Sequence, residues 1–413
     1  MFDKSATNDK SDSYILIGIY FMPGSLEGIR VIDLTTIYSG PICTSILGDQ
    51  GADIIKVESP DGDWMRVPIA QQRNGVSGAF AMMNRNKRSI VINLRTNEGQ
   101  QILKKLVEQS DVLVENFRPG VMKRLGLGYE SLKSINKKLI YASINGFGEE
   151  GPYVERRVYD AVIQAVSGMG ALQADPSVDQ PIFINQLICD KLTSVTAAQV
   201  ISSALVARER SGIGQQVQIS MLDASLFFLW PDAMLNFTFV GDDVAKSPYG
   251  SHAIFVRKTK DGYVCTMPVK EPDWLGLFRA LDLPNLLDDD RFGDQHPVGG
   301  DLWQKTINEA YLQFTTDELM PRLEKNEVPC AKINARPDVI NDPQVKAMGS
   351  LIEFEHPIGG PMRQPRPPGR FSETPANISR TSPELGQQTR EILQEFGYDD
   401  GTITELRSKK VVR

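Results

Sequence analysis

The chain has 413 residues, of which 41% are hydrophobic and 23% charged, and its formal net charge is −7. This length predicts two domains, and the acidic balance without a polybasic run excludes an obvious nucleic-acid partner. Four scattered cysteines and three separated histidines show neither disulfide nor zinc spacing, so the sequence predicts a cytoplasmic protein without a metal site.

Residues 1–27 differ in pattern from the rest of the chain and are interpreted as an N-terminal extension. The apolar run at 15–21 lacks a basic segment before it and is shorter than the ~20 residues that a membrane span needs. The sequence therefore predicts neither a signal peptide nor a membrane partner. An alternative is that Met22 is the natural start.

From residue 28 the chain alternates strand and helix patterns. The predicted strands are 29–35, 53–58, 89–94, 111–117 and 139–145, and the predicted helices between them are 41–50, 98–109 and 129–135. This alternation predicts an α/β fold with an open, mostly parallel, Rossmann-like sheet. Ligands of such sheets bind beyond the carboxyl ends of the strands.

Polar loops follow the predicted strands at that edge of the sheet, at 38–40, 116–118 and 145–148. The basic residues at 84–88, Arg118 and Arg124 are typical of a solvated surface, although at strand ends they would also suit a phosphorylated ligand. There is no G-x-G-x-x-G between the first strand and helix, and no phosphate-binding G-x-x-x-x-G-K-[ST] anywhere. Neither NAD nor ATP is therefore indicated.

A long helix is predicted from Asp190 to Gly212. Asp190 stands where an N-cap belongs, and Gly212 is a suitable stop. One face has little side-chain bulk, which would let another helix approach closely; its residues are Ser194, Ala197, Ala198, Ser202 and Ala204. From this pattern alone, Asp190 is interpreted as a capping residue worth about 1 kcal/mol.

The composition changes after a predicted strand at 215–220 and a predicted helix at 222–239. A hairpin-like turn at 258–263 and helices at 274–281 and 302–323 predict a small α/β domain. An extended proline-rich crossing is expected at 361–369, and the last helices at 389–396 and 403–406. The expected division is therefore a large domain in two parts, 28–225 and 336–413 with its linker, around an inserted small domain at 226–335.

Several stretches together resemble the family III CoA-transferases, from about residue 28 to the C-terminus. They are Gly-Ile-Arg-Val-Ile-Asp-Leu-Thr (28–35), Gly-Ala-Asp-Ile-Ile-Lys-Val-Glu (51–58), Val-Glu-Asn-Phe-Arg-Pro-Gly-Val (114–121), Asn-Gly-Phe-Gly (145–148), Tyr-Asp-Ala (159–161) and Glu-Arg-Ser-Gly-Ile-Gly-Gln (209–215). The resemblance implies transfer of CoA between an acyl-CoA and a carboxylic acid, with coenzyme A as part of the substrate and no tightly bound cofactor. It also implies an interlocked, ring-like homodimer.

In that family the catalytic carboxylate is an aspartate at the start of the corresponding helix, which maps onto Asp190. The resemblance implies that this carboxylate attacks the thioester and forms an aspartyl anhydride. Family contacts to CoA in the large domain map onto Tyr38, Ser39, Asn84, Arg85, Asn86, Lys87, Asn116, Phe117, Arg118, Arg124, Asn145, Gly146, Phe147 and Gly148. Ser59 departs from the family, where a basic residue can follow the second strand.

Two alternatives stay open at this point. The α-methylacyl-CoA racemases resemble the same fold, but they pair the aspartate with a histidine at the position that Tyr159 occupies here. Tyrosine, with a reference pKa near ~10, is a poor base for α-proton exchange. A non-catalytic CoA-binding scaffold is the other alternative. Residues 246–252 lack the glycine run of formyl-CoA transferases, which disfavours oxalate and formate, and the acyl groups stay unassigned.

Overall fold

The computed structural model describes residues 23–67, 69, 71–173, 180–245, 255–283 and 301–413. Most of the extension predicted at 1–27, and the loop at 246–252, lie outside the described residues. No helix within the described ranges is long and apolar enough to cross a membrane.

Strands and helices alternate through the first half of the chain, as the sequence predicts. The strands are β1 (Arg30–Asp33), β2 (Asp53–Glu58), β3 (Gln72–Arg73), β4 (Val76–Ser77), β5 (Lys87–Val91), β6 (Val112–Glu115), β7 (Ile140–Asn145), β8 (Gln216–Ser220), β9 (Val256–Lys258), β10 (Tyr263–Thr266), β11 (Cys330–Lys332), β12 (Leu351–His356) and β13 (Gly360–Pro365). The helices are α1 (Ser39–Asp49), α2 (Gly78–Met83), α3 (Asn97–Glu108), α4 (Val121–Arg124), α5 (Tyr129–Ile135), α6 (Asp160–Val166), α7 (Met169–Leu172), α8 (Ile188–Ser211), α9 (Met221–Ala233), α10 (Glu271–Ala280), α11 (Asp301–Tyr311), α12 (Thr316–Lys325), α13 (Pro343–Ala347), α14 (Thr389–Glu395) and α15 (Asp400–Ser408).

Six parallel strands form the main sheet, in the order β5-β2-β1-β6-β7-β8. Apolar side chains point to both faces of these strands, because helices cover both faces of a parallel sheet. Helices α1 and α8 bury one face, and α3, α5, α14 and α15 bury the other. The mixed α/β fold with a parallel sheet, predicted from the alternation, is confirmed.

The second half of the chain leaves this sheet and then returns to it. Strands β9, β10 and β11 form a separate antiparallel sheet, which packs with α10, α11 and α12 around its own apolar cluster. The C-terminal helices α14 and α15 then add Ile392, Leu393, Ile403 and Leu406 to the core of the main sheet. The division into a large domain and an inserted small domain, together with its boundaries, stays a prediction.

Three local predictions are wrong. Asp190 is not an N-cap, because α8 begins at Ile188 and places Asp190 third in its first turn. The segment 361–369 is not an extended crossing throughout, since residues up to Pro365 pair with β12 in a two-stranded hairpin. Such a hairpin has only edge strands, where proline is tolerated.

The third wrong prediction concerns helix lengths. The helix predicted at 222–239 ends at Ala233, and the one predicted at 302–323 is two helices, α11 and α12. The break occurs because the Thr315 side chain accepts from the Glu318 N–H while Glu318 bonds back to the Thr315 N–H. This capping box starts a new helix.

Candidate active site

Asp190 lies at the start of the long helix α8, half-buried against α1. The close helix contact depends on small residues, since Ser194, Ala197, Ala198 and Ala204 are all buried. Cys43 and Leu47 of α1 belong to the same apolar cluster as these alanines. The predicted close approach at this face is therefore present, and it brings the N-terminal ends of α1 and α8 together.

The carboxyl group of Asp190 is surrounded by residues from three elements. Burial, and then the negative charge of Asp160 on α6, raise the pKa of Asp190 to about 6, while the hydroxyl and N–H of Ser39 on α1 act in the opposite direction. Burial and the Asp190 charge also raise the pKa of Tyr38. A carboxylate with these neighbours is ionised near neutral pH but more basic than an exposed aspartate.

Asp160 also contacts the backbone of Asp190. The N–H of Asp190 donates to Oδ2 of Asp160 at 3.0 Å. Helix α8 has no capping bond from its own N-cap side chain, at Leu187, so the buried carboxylate from α6 takes a free N–H of the first turn. Asp160 therefore fixes the turn on which Asp190 lies.

A cavity of about 270 Å³ lies at the carboxyl edge of the main sheet. It contains seven of the residues that the resemblance assigns to CoA, namely Asn116, Phe117, Arg118, Asn145, Gly146, Phe147 and Gly148. Ile37 and Tyr159 line it too, and their chain neighbours Tyr38 and Asp160 are the residues that face Asp190. The cavity and the Asp190 carboxyl are thus connected by two pairs of neighbouring residues, Ile37 with Tyr38 and Tyr159 with Asp160.

The loop after β1 is held tightly where it enters this cavity. The side-chain amide of Asn116 accepts from the Thr36 N–H at 2.9 Å and donates to the Thr36 carbonyl at 2.8 Å. The next residue, Ile37, has a φ of 74°, which is unfavourable for a β-branched side chain. This strain costs on the order of 1–3 kcal/mol and persists because Asn116 fixes the loop.

Close packing also shapes the loop after β7. A side chain at Gly146 would place its Cβ 2.2 Å from Val158, so only glycine fits there. Gly148 has a φ of 89°, and its N–H donates to the Asn145 side chain at 2.6 Å. The Asn-Gly-Phe-Gly stretch therefore needs its glycines for backbone geometry.

Three arginines line the cavity: Arg118, Arg156 and Arg157. The Arg156 guanidinium lies 3.7 Å from the Tyr153 ring centroid, and Tyr153 packs edge-on against Phe147. Within the described part of the chain none of the three forms an ion pair, so their positive charges are available to an anionic ligand.

The other predicted contacts to CoA lie elsewhere. Arg124 is exposed and does not line the cavity. Asn84, Arg85, Asn86 and Lys87 are all buried and bonded within the protein. Arg85 forms two bonds with Asp49, and Asn86 bonds the chain near residues 377–380. Interior partners already occupy these side chains. Their role as CoA contacts stays a prediction.

The sequence pattern did not indicate Ile37, Arg156, Arg157, Asp160 or Gln164. The proximity of Arg156 and Arg157 to a recognised Tyr-Asp-Ala stretch is a signal that could have found the arginines. Cys189, beside Asp190, is fully buried, and burial raises the pKa of its thiol to about 11, as is typical of an unreactive packing residue.

The sequence profile of CoA-transferase family III matches residues 26–389. The chain belongs to CoA-transferase family III. A human succinyl-CoA:glutarate CoA-transferase is 34% identical over 395 residues, covering 94% of this chain and 90% of the relative. An Escherichia coli O157:H7 formyl-CoA:oxalate CoA-transferase is 31% identical over 423 residues, covering 95% of this chain and 100% of the relative.

The fold comparison agrees with the family. The crystal structure of a CAIB/BAIF family protein from Brucella suis superposes with a TM-score of 0.76 and 33% identity, covering 91% of this chain and all of the other. Membership confirms both the resemblance and the predicted enzyme class, a family III CoA-transferase that acts on acyl-CoA.

Proposed function

We propose that this family III CoA-transferase moves CoA from an acyl-CoA to a carboxylic acid through a mixed anhydride on Asp190. The observation that carries the proposal is the half-buried Asp190 carboxyl, which is held at the junction of two helices beside a cavity lined by arginine and glycine-rich loops. Such a carboxylate is positioned to act as a nucleophile where water has limited access.

The proposed reaction has two acyl-transfer stages that mirror each other, with an exchange of carboxylates between them. In the first, an Asp190 oxygen attacks the thioester carbonyl, a C–O bond forms, the C–S bond breaks and CoA leaves as the thiolate. The acceptor carboxylate then takes the place of the donor acid on the aspartyl carbonyl. In the second stage the thiolate attacks the acyl carbon of the new anhydride, which releases the new thioester and restores the Asp190 carboxylate.

The cavity is the proposed binding site for CoA. Arg118, Arg156 and Arg157 would neutralise its phosphates, and Phe117 and Phe147 offer apolar surface to the rest of the molecule. Tyr38 and Ser39 lie between this cavity and Asp190, where the thioester would have to lie. The division into a CoA-binding large domain, at 28–225 and 336–413, and a small domain at 226–335 belongs to the same proposal.

Dicarboxylic acids are the substrates to test first. The human relative and one from Agrobacterium fabrum are named for succinate or succinyl-CoA and glutarate, at 34% and 33% identity. The racemase alternative has less support, because Tyr159 is exposed at the cavity and supplies no imidazole there.

A cytoplasmic, interlocked homodimer completes the proposal. Four cysteines are free, as expected in a reducing compartment. Large apolar side chains are exposed on and after α9, including Phe227, Phe239 and Val240. Contiguous apolar surface of this kind is typical of a protein interface.

Replacement of the proposed nucleophile tests the function. Asp190→Ala should lower the rate of CoA transfer from succinyl-CoA to glutarate by about 10³-fold or more, because the covalent route is removed. Mass spectrometry of the thioesters measures the rate, and Asp317→Ala, an exposed first-turn aspartate of α12, is the matched control. A rate for Asp190→Ala near that of the unmodified enzyme would reject the assignment. In heavy water, deuterium entering the α-carbon of a 2-methylacyl-CoA would favour the racemase instead.

A further inference from the structure

Gln164 is a buried glutamine whose side chain joins Asp160, on the same helix α6, to the segment 184–186. It is 2% exposed. Its Nε2 donates to Oδ1 of Asp160 at 2.7 Å and to the carbonyl oxygens of Ile184 and Gln186 at 3.2 and 3.3 Å. Its Oε1 accepts from the Ile184 N–H at 2.9 Å. Every polar atom of this amide is therefore used.

The bond from Ile184 determines which way the amide faces. A backbone N–H can only donate, so the oxygen of Gln164 must point to Ile184 and the nitrogen must point to Asp160. The same bonds hold residues 184–186, the segment that leads directly into α8. Gln164 thus anchors the approach to the helix of Asp190.

Asp160 consequently has both carboxylate oxygens occupied by N–H donors. Oδ1 accepts from Gln164 and Oδ2 from the backbone of Asp190, at 2.7 and 3.0 Å. N–H donors stabilise the negatively charged form of a carboxylate. Asp160 is itself 1% exposed, so its charge is directed at Asp190 rather than at solvent.

We propose that Gln164 is a positioning residue for CoA transfer: its amide orients Asp160, which in turn holds the first turn of α8 and keeps a negative charge beside the nucleophile. This inference rests on the proposed role of Asp190. The charge makes Asp190 a stronger base and nucleophile than an isolated aspartate, which favours attack on a thioester carbon.

Several polar and titratable groups interact with Asp190. They are Asp160 on α6, Tyr38 and Ser39 at the start of α1, and Cys189 and Lys191 on α8 itself. Burial is the largest cause of the raised pKa of Asp190 and the Asp160 charge is the next. Loss of the Gln164 amide removes one of the two donors that orient the Asp160 carboxylate, so this carboxylate can turn away and act less on Asp190.

The test measures the titration of Asp190 directly and the transfer rate separately. The enzyme is labelled with ¹³C at the aspartate carboxyls, and the Asp190 resonance is identified by its loss in Asp190→Asn. In Gln164→Leu we expect the pKa of Asp190 to fall from about 6 towards the ordinary aspartate value of 3.8. The acid limb of kcat/KM should move to lower pH by the same amount, and kcat should fall about tenfold with little change in KM. Gln313→Leu, an exposed glutamine that bonds only the Glu309 carbonyl, is the control.

Two further variants keep the inference testable if Gln164→Leu does not fold. Asp160→Asn removes the charge and should lower the Asp190 pKa in the same way. Asp160→Asn with Gln164→Glu restores the bond between residues 160 and 164 and moves the charge away from Asp190, but the Ile184 and Gln186 carbonyls lose their donor, so kcat should recover only in part while the acid limb stays displaced. An Asp190 pKa that is unchanged in folded Gln164→Leu or Asp160→Asn would overturn the inference. An Asp190 pKa that falls while the acid limb stays fixed would support the role of Gln164 and reject Asp190 as the group that limits transfer.

Discussion

Two buried lysines support the carboxyl edge of the main sheet. Lys87 donates to Asp33 at 2.9 Å and also to the Pro41 carbonyl and the Asn84 side chain. Lys56 bonds Asp63 at 3.0 Å and the Thr35 carbonyl at 2.9 Å. Both lysines are fully buried, and three of their partners, Asp33, Thr35 and Pro41, lie just before or just after the loop that leads to Ser39. This network therefore fixes the entry to α1.

Replacement of Lys87 separates a structural role from a role in CoA binding. Lys87→Met leaves the Asp33 charge buried without its cation, so we expect the free energy of unfolding in urea to fall by about 3–5 kcal/mol. The control is Arg118→Met, which removes an exposed cation and should change stability by less than about 0.5 kcal/mol while it raises the KM for acyl-CoA. Unchanged stability in Lys87→Met, together with a raised KM, would instead show that Lys87 contacts CoA.

Single residues could be predicted where the family resemblance assigns them a role. Asp190 is assigned by its place at the start of the long helix, the loops at 116–118 and 145–148 belong to recognised stretches, and the structure brings both loops into one cavity near Asp190. Asp160 and Gln164 act through partners 30 and 20 residues away. Spacing within a sequence gives no sign of such pairs, because they form only when α6 and the start of α8 pack together.

Close packing of another element against α8 is the element-scale feature that could be predicted from the chain, although its partner α1 could not. Small residues at helical spacing predict close packing, and Ala197 and Ala198 are indeed buried against α1. The start of α8 could not be predicted in the same way. Asp190 resembles an N-cap, but the cap bond comes from Asp160 on another helix, which allows α8 to begin at Ile188.

Strands were predicted more reliably than the segments after the main sheet. The strands at 53–58 and 139–145 agree with the structure to within one residue, since buried parallel strands give continuous apolar runs. The hairpin of β12 and β13 was missed because the second strand contains Pro361 and Pro365, although its partner strand alternates apolar and acidic residues from Ile352 to Glu355. Pairing with β12 in the folded chain therefore determines the conformation of residues 360–365.

At the scale of the whole molecule, the last residues of the chain complete the apolar core of the main sheet, whose strands come from the first half of the chain. Val412 pairs with Ile92 beside the main sheet, and α14 and α15 pack over the same face as α3. The segment between them carries the small sheet of β9 to β11. A partner chain held by such a returning segment could not leave without unfolding it.

The proposed interlocked dimer predicts how the protein behaves on dilution. Phe227 is 83%, Phe239 76% and Val240 97% exposed in the single chain, and a partner threaded through the ring should bury them within an interface larger than the standard size of about 1,600 Å². Sedimentation at nanomolar concentration should therefore give one species near twice the chain mass of 45.9 kDa. Phe227→Ser, Phe239→Ser and Val240→Ser combined should weaken it. A folded, active species near 45.9 kDa in the unmodified enzyme would contradict the arrangement.

Oxygen transfer into Asp190 tests the covalent route most directly. If the acceptor carboxylate forms an anhydride with Asp190, and thiolate then attacks the acyl carbon, one acceptor oxygen stays on the aspartate. The enzyme is turned over with succinyl-CoA and ¹⁸O-labelled glutarate, digested, and the peptide that contains Asp190 is weighed and sequenced by mass spectrometry. We expect this peptide to become about 2 Da heavier for each labelled oxygen, at Asp190 and in no other aspartate, as the covalent route requires. Formation of labelled glutaryl-CoA with no ¹⁸O in Asp190 would contradict the covalent role of this residue.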